Sequence, residues 1–363
     1  MKNTLRIGAI SAVSALALAA CSSAPADETT TTSSANETTP AQSIDYKACM
    51  VSDAGGFDDG SFNQSGFEGL QQAAADLGID VATAESTTDS DFAPNIEAMI
   101  AADCDLIVTV GFALSAATVE AGLANPDVDF AIVDDWADND FDGTTDAPNV
   151  KPLTFETDEA AYLAGYASAA ATATGSIATF GGVAYPSVTI FMDGFLAGAN
   201  AYNTDNGTTV SVLGWDGTDG AFTGDFDDLS KGQTTAQGFM DQGADIILPV
   251  AGPVGGGAAA AAQKAGNTWI VGVDADWTVT YPEYSDIIFT SIMKNIGNAV
   301  YDTIVEGSSE AGLTYTPYVG TLENGGVGLA PFADGTVSAE LQTKLDELSA
   351  GIMAGTITPN TQG

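Results

Sequence analysis

Side chains that can hydrogen-bond and stack on a ligand are concentrated in residues 52–70, SDAGGFDDGSFNQSGFEGL. This stretch follows the apolar run 48–51, which predicts a buried strand. It leads into an amphipathic helix whose apolar face is formed by Phe67, Leu70, Ala74 and Leu77. In an open parallel sheet, a loop between such a strand and helix lies where ligands bind, and its glycines allow close backbone approach. The alternative is an ordinary loop whose Asp and Ser side chains cap the helix.

Acidic, aromatic and glycine residues also follow later apolar runs. These runs alternate with helical patterns, and the alternation restarts after an alanine-rich helix at 159–173. We therefore predict an α/β protein with two Rossmann-like lobes, parallel sheets and a cleft between the lobes. Because the carboxyl ends of parallel strands meet at one edge, the residues that follow the strands should face this cleft. They are Asp53, Gly111, Phe112, Asp134, Asp135, Gly181, Gly182, Trp215, Ala251, Gly252 and Asp274.

The composition excludes several classes of function. The 363 residues include 8 basic and 49 acidic side chains and no histidine, for a formal net charge of −41. Nucleic acid is not an expected partner, because phosphate backbones are bound through Lys and Arg. The carboxylates are spread along the chain, so we interpret them as a solvated acidic surface rather than a cation site. The absence of histidine excludes Ser-His and Cys-His catalysis, and we expect no metal and no cofactor.

The start of the chain resembles a bacterial export signal. Two basic residues precede an apolar stretch at 7–20 that is too short to span a membrane, and the tetrapeptide LAAC ending at Cys21 resembles a lipobox. We predict a signal peptide at 1–20, a lipid on Cys21 and a flexible tether at 21–43, where no large apolar side chain follows the cysteine. A secretory signal without a lipid is the alternative.

Two further cysteines, Cys49 and Cys104, stand at the amino ends of two predicted strands. In an exported protein, an even pair of cysteines at matching ends of two strands favours a disulfide. Two buried free thiols are the alternative. A Cα separation above about 7 Å would exclude the bond.

Six segments, taken in order, resemble the basic membrane protein family of ABC-transporter substrate-binding lipoproteins, whose best-understood members bind purine nucleosides. The resemblance covers most of residues 45–330, with its segments at 53–69, 133–135, 194–195, 243–245 with 251–252, 271–274 and 290–295. It implies a type I periplasmic-binding-protein-like fold. In a chain of this plan, lobe 1 would comprise residues 44–156 and 291–363, and lobe 2 residues 157–290. The hinge crossings would lie near residues 156, 290 and 318.

The resemblance also implies ligand contacts. Phe62 would stack on one face of a flat base, and Asn63 and Asp53 would hydrogen-bond the base edge or hold the loop in place. Asp274 would accept hydrogen bonds from both hydroxyls of a ribose. Lys294 would lie in the cleft, where it would bond the ligand and balance the acidic residues.

Further contacts would come from both lobes. Asp134 faces the predicted cleft. On the second lobe, Phe191 would contact the ligand, and either Phe226 or Trp215 would supply the other stacking face. Gly252 would let backbone groups meet the ligand.

Together these features predict a monomeric, non-enzymatic receptor that is tethered to the extracytoplasmic face of the cell membrane. It would close its lobes over a purine nucleoside and deliver it to the permease subunits of an ABC importer. A sugar or another small polar solute is an alternative ligand. A nucleoside hydrolase that uses the acidic cluster Asp53, Asp58 and Asp59 is the alternative activity, and presentation of the ligand to a chemoreceptor is a third possibility.

Overall fold

The computed structural model describes residues 44–360, so the predicted signal peptide, the lipid site at Cys21 and the tether lie outside the described residues. Within 44–360 the strands are β1 (Lys47–Ser52), β2 (Asp80–Ala84), β3 (Leu106–Val110), β4 (Asp129–Val133), β5 (Val150–Phe155), β6 (Ser176–Gly181), β7 (Ser211–Leu213), β8 (Ile246–Val250), β9 (Trp269–Asp274), β10 (Ile288–Lys294), β11 (Tyr318–Gly320) and β12 (Val327–Leu329). The α-helices of this range are α1 (Phe62–Leu77), α2 (Phe92–Ala101), α3 (Ser115–Ala124), α4 (Thr157–Ala171), α5 (Pro186–Asn206), α6 (Leu229–Asp241), α7 (Pro253–Ala265), α8 (Trp277–Thr280), α9 (Ile296–Gly307) and α10 (Ala339–Met353).

The strands form two six-stranded sheets, and each sheet defines a lobe. The sheet of the first lobe has the order β11-β5-β4-β3-β1-β2 and is parallel throughout. The sheet of the second lobe has the order β12-β10-β9-β8-β6-β7, in which β12 alone runs antiparallel to its neighbour. The predicted α/β fold with two parallel-sheet lobes is confirmed. In both sheets the strand order reverses beside the first strand, at β1/β3 and at β6/β8, and ligands bind at such switch points.

Local sequence explains the elements that lead to these switch points. All five residues of β3 are apolar or buried, as expected for a parallel strand that is covered by helices on both faces. Helix α1 buries Leu70 and Ala73 against the sheet and ends at Gly78, whose left-handed conformation caps the helix. No helix among the described residues is both long enough and apolar enough to cross a membrane.

The structure corrects the predicted lobe boundaries. The first crossing lies at Glu156, between β5 and α4. The second lies at Asn295 rather than near residue 290, because β10 pairs with β9 and β12 of the second lobe as far as Lys294. The third lies between β11 and β12, at residues 321–326, slightly beyond the predicted position near 318.

The helices after the second crossing belong to different lobes. Helix α9 returns to the first lobe and packs so closely on α1 that a Cβ at Gly69 would lie 2.2 Å from the carbonyl oxygen of Gly297. The sequence predicts α10 on the first lobe as well, but α10 packs on α4 of the second lobe. Its Lys344 Nζ lies 3.0 Å from Asp205 Oδ2 of α5. The assignment of residues 327–353 to lobe 1 is therefore wrong.

Cys49 and Cys104 form a disulfide with their Cα atoms 6.0 Å apart. The bond joins β1 to the turn that precedes β3, and both cysteines are buried in the apolar cluster on one face of the first sheet. The structure thus distinguishes between the disulfide and the pair of free thiols that the sequence left open.

Candidate ligand-binding site

A cavity lies between the lobes, at the carboxyl ends of both sheets. Its volume is about 60 Å³. All nine residues predicted to contact a ligand line it: Asp53, Phe62, Asn63, Asp134, Phe191, Phe226, Gly252, Asp274 and Lys294. Residues distributed over most of the folded chain therefore meet at one place, and both lobes contribute to the lining.

Asp59 organises the loop that leads into α1. Its carboxylate accepts hydrogen bonds from the backbone N–H groups of Ser61, Asn63 and Gln64, at 2.9, 2.9 and 3.0 Å. These bonds satisfy donors in the first turn of α1. Burial raises the pKa of Asp59, and these hydrogen bonds oppose the rise. Asp59 therefore both caps the start of α1 and shapes the site, because the same hydrogen bonds fix the position of Asn63.

Asn63 presents an acceptor without a partner. Its Nδ2 donates to Asp53 Oδ1 at 2.8 Å and to Asp59 Oδ2 at 3.2 Å, which fixes the orientation of the amide. Its Oδ1 is buried and has no hydrogen-bond partner among the described residues. A buried acceptor without a donor costs about 1–3 kcal/mol. The arrangement therefore suits a ligand that brings an N–H or O–H group to this oxygen.

Asp53 is held beside Asn63 by the shape of the backbone around it. A Cβ at Gly111, which follows β3, would lie 2.3 Å from Asp53 Oδ2, and Gly111 has a φ of +119° that favours glycine. Burial raises the pKa of Asp53 to about 8, although the hydrogen bond from Asn63 opposes the rise. Near neutral pH this carboxyl group therefore carries a proton in much of the folded population and can donate as well as accept.

Asp134 and Asp274 occupy matching positions in the two lobes. Asp134 follows β4 and Asp274 ends β9, and both adopt left-handed backbone conformations, with φ of 67° and 66°. This conformation costs a non-glycine residue on the order of 1–3 kcal/mol and is concentrated at functional sites. Both carboxylates face the ammonium group of Lys294 at the end of β10, at 2.6 Å for Asp134 Oδ2 and 3.7 Å for Asp274 Oδ1. Burial raises the pKa of Asp134, and the charge of Lys294 opposes the rise.

Aromatic rings from both lobes form the apolar walls. Lys294 Nζ lies 5.0 Å from the ring centroid of Phe62 on the first lobe and 5.2 Å from that of Phe191 on the second. Phe226 stacks on Tyr185 with the centroids 6.0 Å apart. Tyr185 in turn contacts Phe112 of the first lobe at 4.9 Å. A flat ligand can therefore be enclosed between rings that belong to different lobes.

Trp215 does not belong to this site. It is buried, and its Nε1 donates to Asp193 Oδ1 at 2.8 Å within the second lobe. Of the two predicted alternatives, Phe226 is the residue that lines the cavity. Tyr185 also lines it but is absent from the predicted contacts. The available signal for Tyr185 was its position four residues after the end of β6, among residues that follow a strand.

The lobes are closed over the cavity in this structure. Ser61 Oγ of the first lobe donates to Asp274 Oδ2 of the second at 2.9 Å. The Tyr281 hydroxyl donates across the same boundary to the carbonyl oxygen of Asp59, at 2.8 Å. The bond between Lys294 and Asp134 also joins the two lobes.

A second acidic cluster lies on the loop after β4. Carboxylate oxygens of Asp138, Asp140 and Asp146 lie within 4.8 Å of one another, and the spacing DxDxDG at 138–143 is that of the first half of an EF-hand calcium loop. The twelfth position of such a loop, usually Glu, is Asn149. Its Nδ2 instead donates to backbone carbonyls near the opposite end of β4. We therefore assign no metal site to this loop.

Comparisons with known proteins agree with this architecture. The sequence model of a family described as "ABC transporter substrate-binding protein PnrA-like" matches residues 46–358. The ABC transporter nucleoside-binding protein BmpA of Lactococcus lactis is 30% identical, and the alignment covers 98% of each chain. Basic membrane protein A of Borreliella burgdorferi is 31% identical over 85% of each chain. A crystal structure of an ABC transporter solute-binding protein from Aeropyrum pernix superposes with a TM-score of 0.75 at 24% identity, covering 86% of this chain and 92% of that one. This last likeness confirms the predicted type I fold.

Proposed function

We propose a ligand and a cellular location for this chain, which belongs to the family of PnrA-like ABC transporter substrate-binding proteins. The protein is a lipid-anchored receptor on the extracytoplasmic face of the cell membrane. It binds a purine nucleoside by closing its two lobes over the ligand. Proteins of this family bind small ligands and act with permease partners. The nucleoside is supported by the Lactococcus lactis relative, whose name describes it as nucleoside-binding. The lipid anchor is supported by the lipobox-like tetrapeptide that ends at Cys21.

The observation that carries the nucleoside proposal is the combination of flanking aromatic rings and an unpartnered acceptor in one closed cavity. Phe62 and Phe226 line the cavity from opposite lobes, so a planar base can be held between them. At the edge of this space, Asn63 Oδ1 is buried and has no partner within residues 44–360, and Asp53 lies beside it. A purine carries ring nitrogens and an exocyclic group along its edge, and these can pair with an amide oxygen and a carboxyl group together.

The ribose would lie toward Asp274 and Lys294. A carboxylate can accept hydrogen bonds from both hydroxyls of a vicinal diol, and an ammonium group can donate to ring or hydroxyl oxygens. In the closed structure, Asp274 accepts a hydrogen bond from Ser61 and faces Lys294. Asp274 and Lys294 both belong to the second lobe, and each is also bonded to a residue of the first lobe. A ribose held there would therefore stabilise the closed arrangement of the lobes. The ligand therefore stabilises the closed state through contacts with both lobes.

Hydrolysis is less well supported than binding. Of the three carboxylates that would form a catalytic cluster, Asp59 is occupied with the backbone of α1. Asp58 is exposed and does not line the cavity. Asp53 therefore faces the cavity without a free catalytic partner from this cluster. The matching family model and the Lactococcus lactis relative are likewise described as binding proteins.

The test is calorimetry with inosine, adenosine, 2′-deoxyadenosine and free ribose. Phe62→Ala should weaken all three nucleosides by about 1–3 kcal/mol, because it removes a stacking face, and it should change ribose little. Asp274→Ala should weaken the ribonucleosides without discriminating between bases. The wild type should bind 2′-deoxyadenosine less well than adenosine, because the missing hydroxyl leaves a buried acceptor unpaired.

Asp286→Ala is the matched control for the second lobe, because Asp286 is exposed and lies outside the cavity. Equal losses for all four ligands in both site variants would mean that these residues shape the lobes and do not contact the ligand. Tight binding of free ribose by the wild type would replace the nucleoside with a sugar. Release of free base during the titration would establish the hydrolase.

A further inference from the structure

A second cavity adjoins the candidate site on the side of the ion pair between Lys294 and Asp134. Its volume is about 270 Å³. Both cavities are lined by Lys294, Asp134, Phe112 and Ser187. These four residues therefore form a wall that the two cavities share.

The outer wall of the second cavity is apolar and exposed. Trp136 and Phe141, on the loop after β4, are 48% and 76% exposed to solvent, and both line this cavity. Ile190 of α5 and Phe155 of β5 line it as well. Large aromatic side chains left exposed around a concave surface mark a place where an apolar group binds.

The charged groups of this cavity are almost all acidic. Asp135, Asp138 and Glu156 contribute carboxylates, and Lys294 is the one cationic side chain that the described lining contains. Lys294 is already paired with Asp134. Thr157 lines the cavity, and its buried hydroxyl has no partner among the described residues. An anionic group would be repelled here, whereas an uncharged group that accepts a weak hydrogen bond would find a free donor.

We propose that this receptor accepts purine nucleosides that carry an uncharged thioether in place of the 5′-hydroxyl group, and that this substituent occupies the second cavity. The inference rests on the proposed function. If the base lies at Asp53 and Asn63 and the 2′ and 3′ hydroxyls lie on Asp274, then the 5′ position is the one left to extend past Asp134 and Lys294. A thioether suits this cavity because sulfur packs favourably on aromatic rings and its lone pairs accept weak hydrogen bonds.

The experiment is calorimetry of the mature chain with adenosine, 5′-deoxy-5′-methylthioadenosine and adenosine 5′-monophosphate. The methylthio nucleoside should bind at least as tightly as adenosine. The monophosphate should bind at least about 100-fold more weakly, because its charge meets the carboxylates. Trp136→Ala should weaken the methylthio nucleoside about tenfold and change adenosine less than about twofold, since Trp136 lines only the second of these two cavities.

Leu123→Ala is the matched control, because Leu123 is also a large exposed apolar side chain (59% exposed) and lies on α3 outside both cavities. Failure of all three ligands to bind would refute the proposed function itself. Tight adenosine binding with methylthio binding more than about tenfold weaker would refute only the further inference. The same conclusion would follow if Trp136→Ala weakened both nucleosides equally or neither, or if the monophosphate bound as tightly as adenosine.

Discussion

Replacing Lys294 by methionine should destabilise the folded protein by about 3–5 kcal/mol near neutral pH. The side chain of Lys294 retains 3% of its exposure, and those of Asp134 and Asp274 each retain 8%. Methionine keeps an apolar chain of similar length against the surrounding aromatic rings but removes the charge. Two buried carboxylates then lose their cation, and breaking a buried ion pair from one side typically costs about 3–5 kcal/mol.

The loss should grow with pH. In the wild type, burial raises the pKa of Asp134, and Lys294 opposes the rise. Without Lys294 this pKa rises further, so the folded variant holds a proton that the unfolded chain releases above about pH 4. Because the folded state binds more protons than the unfolded state, the free energy of unfolding of the variant falls as pH rises. The difference from the wild type should therefore be smallest near pH 5 and largest near pH 8.

Urea denaturation near pH 5, 7 and 8 measures this difference. Lys264→Met is the matched control, because Lys264 is exposed on α7 and makes no ion pair among the described residues. Adding Asp134→Asn to Lys294→Met should recover a large part of the loss near pH 8, since it removes one of the unpaired charges. A loss no larger than that of the control, or one that does not change with pH, would refute the electrostatic account of this site.

Four shorter predictions follow from other features of the structure. Reduction of the disulfide between Cys49 and Cys104 should lower the free energy of unfolding by roughly 4 kcal/mol, because the bond closes a loop between residues 55 positions apart; an unchanged urea midpoint in reductant would contradict this. Gly111→Ala should displace Asp53 and weaken nucleoside binding at least about tenfold, which calorimetry would measure. Gly328→Ala is the control and should leave binding unchanged, because a Cβ added there meets no atom within 4 Å. Burial raises the pKa of Asp53 to about 8. The free energy of unfolding should therefore fall as the pH rises from about 4 to 8, by at most about 1.4 kcal/mol per pH unit. Denaturation of Asp53→Asn should show a shallower fall over the same range. Exhaustive chelation should leave nucleoside affinity unchanged; a loss that calcium restores would show that a metal is required.

Much of the fold follows from patterns that span fewer than twenty residues. The alternation of apolar runs with helical periodicity predicts the α/β class and the two lobes, because a buried parallel strand and the helix that covers it each have a local signature. Those patterns also locate the ends of the strands. Since the carboxyl ends of parallel strands lie at one edge of a sheet, Asp53, Asp134 and Asp274 could be placed at a cleft without knowledge of any contact.

The assignment of the final elements to lobes required the tertiary structure. The sequence predicts β10 and α10 as elements, and it predicts that Leu341, Leu345 and Leu348 of α10 point inward. Leu345 and Leu348 are buried, whereas Leu341 is half-buried. It does not show which surface they cover. The position of β10 depends on pairing with β9, nearly twenty residues earlier. The position of α10 depends on packing against α4, more than 160 residues earlier. The sequence of α10 does not determine this position, because an amphipathic helix fits any apolar surface of suitable shape.

The detailed arrangement of the site was likewise decided by contacts between distant parts of the chain. The sequence offers Trp215 and Phe226 equally as the second-lobe residue that stacks on the ligand. Only the fold directs Trp215 toward Asp193 and Phe226 toward the cavity. The residue types of Asn63 and Lys294 are visible in the sequence, whereas the unpartnered oxygen of Asn63 and the bond from Lys294 to the opposite lobe are not. Composition and periodicity determine which residues reach the ends of strands, because those are local properties. Which of these residues meet, and in what orientation, is determined by how the two lobes close on each other.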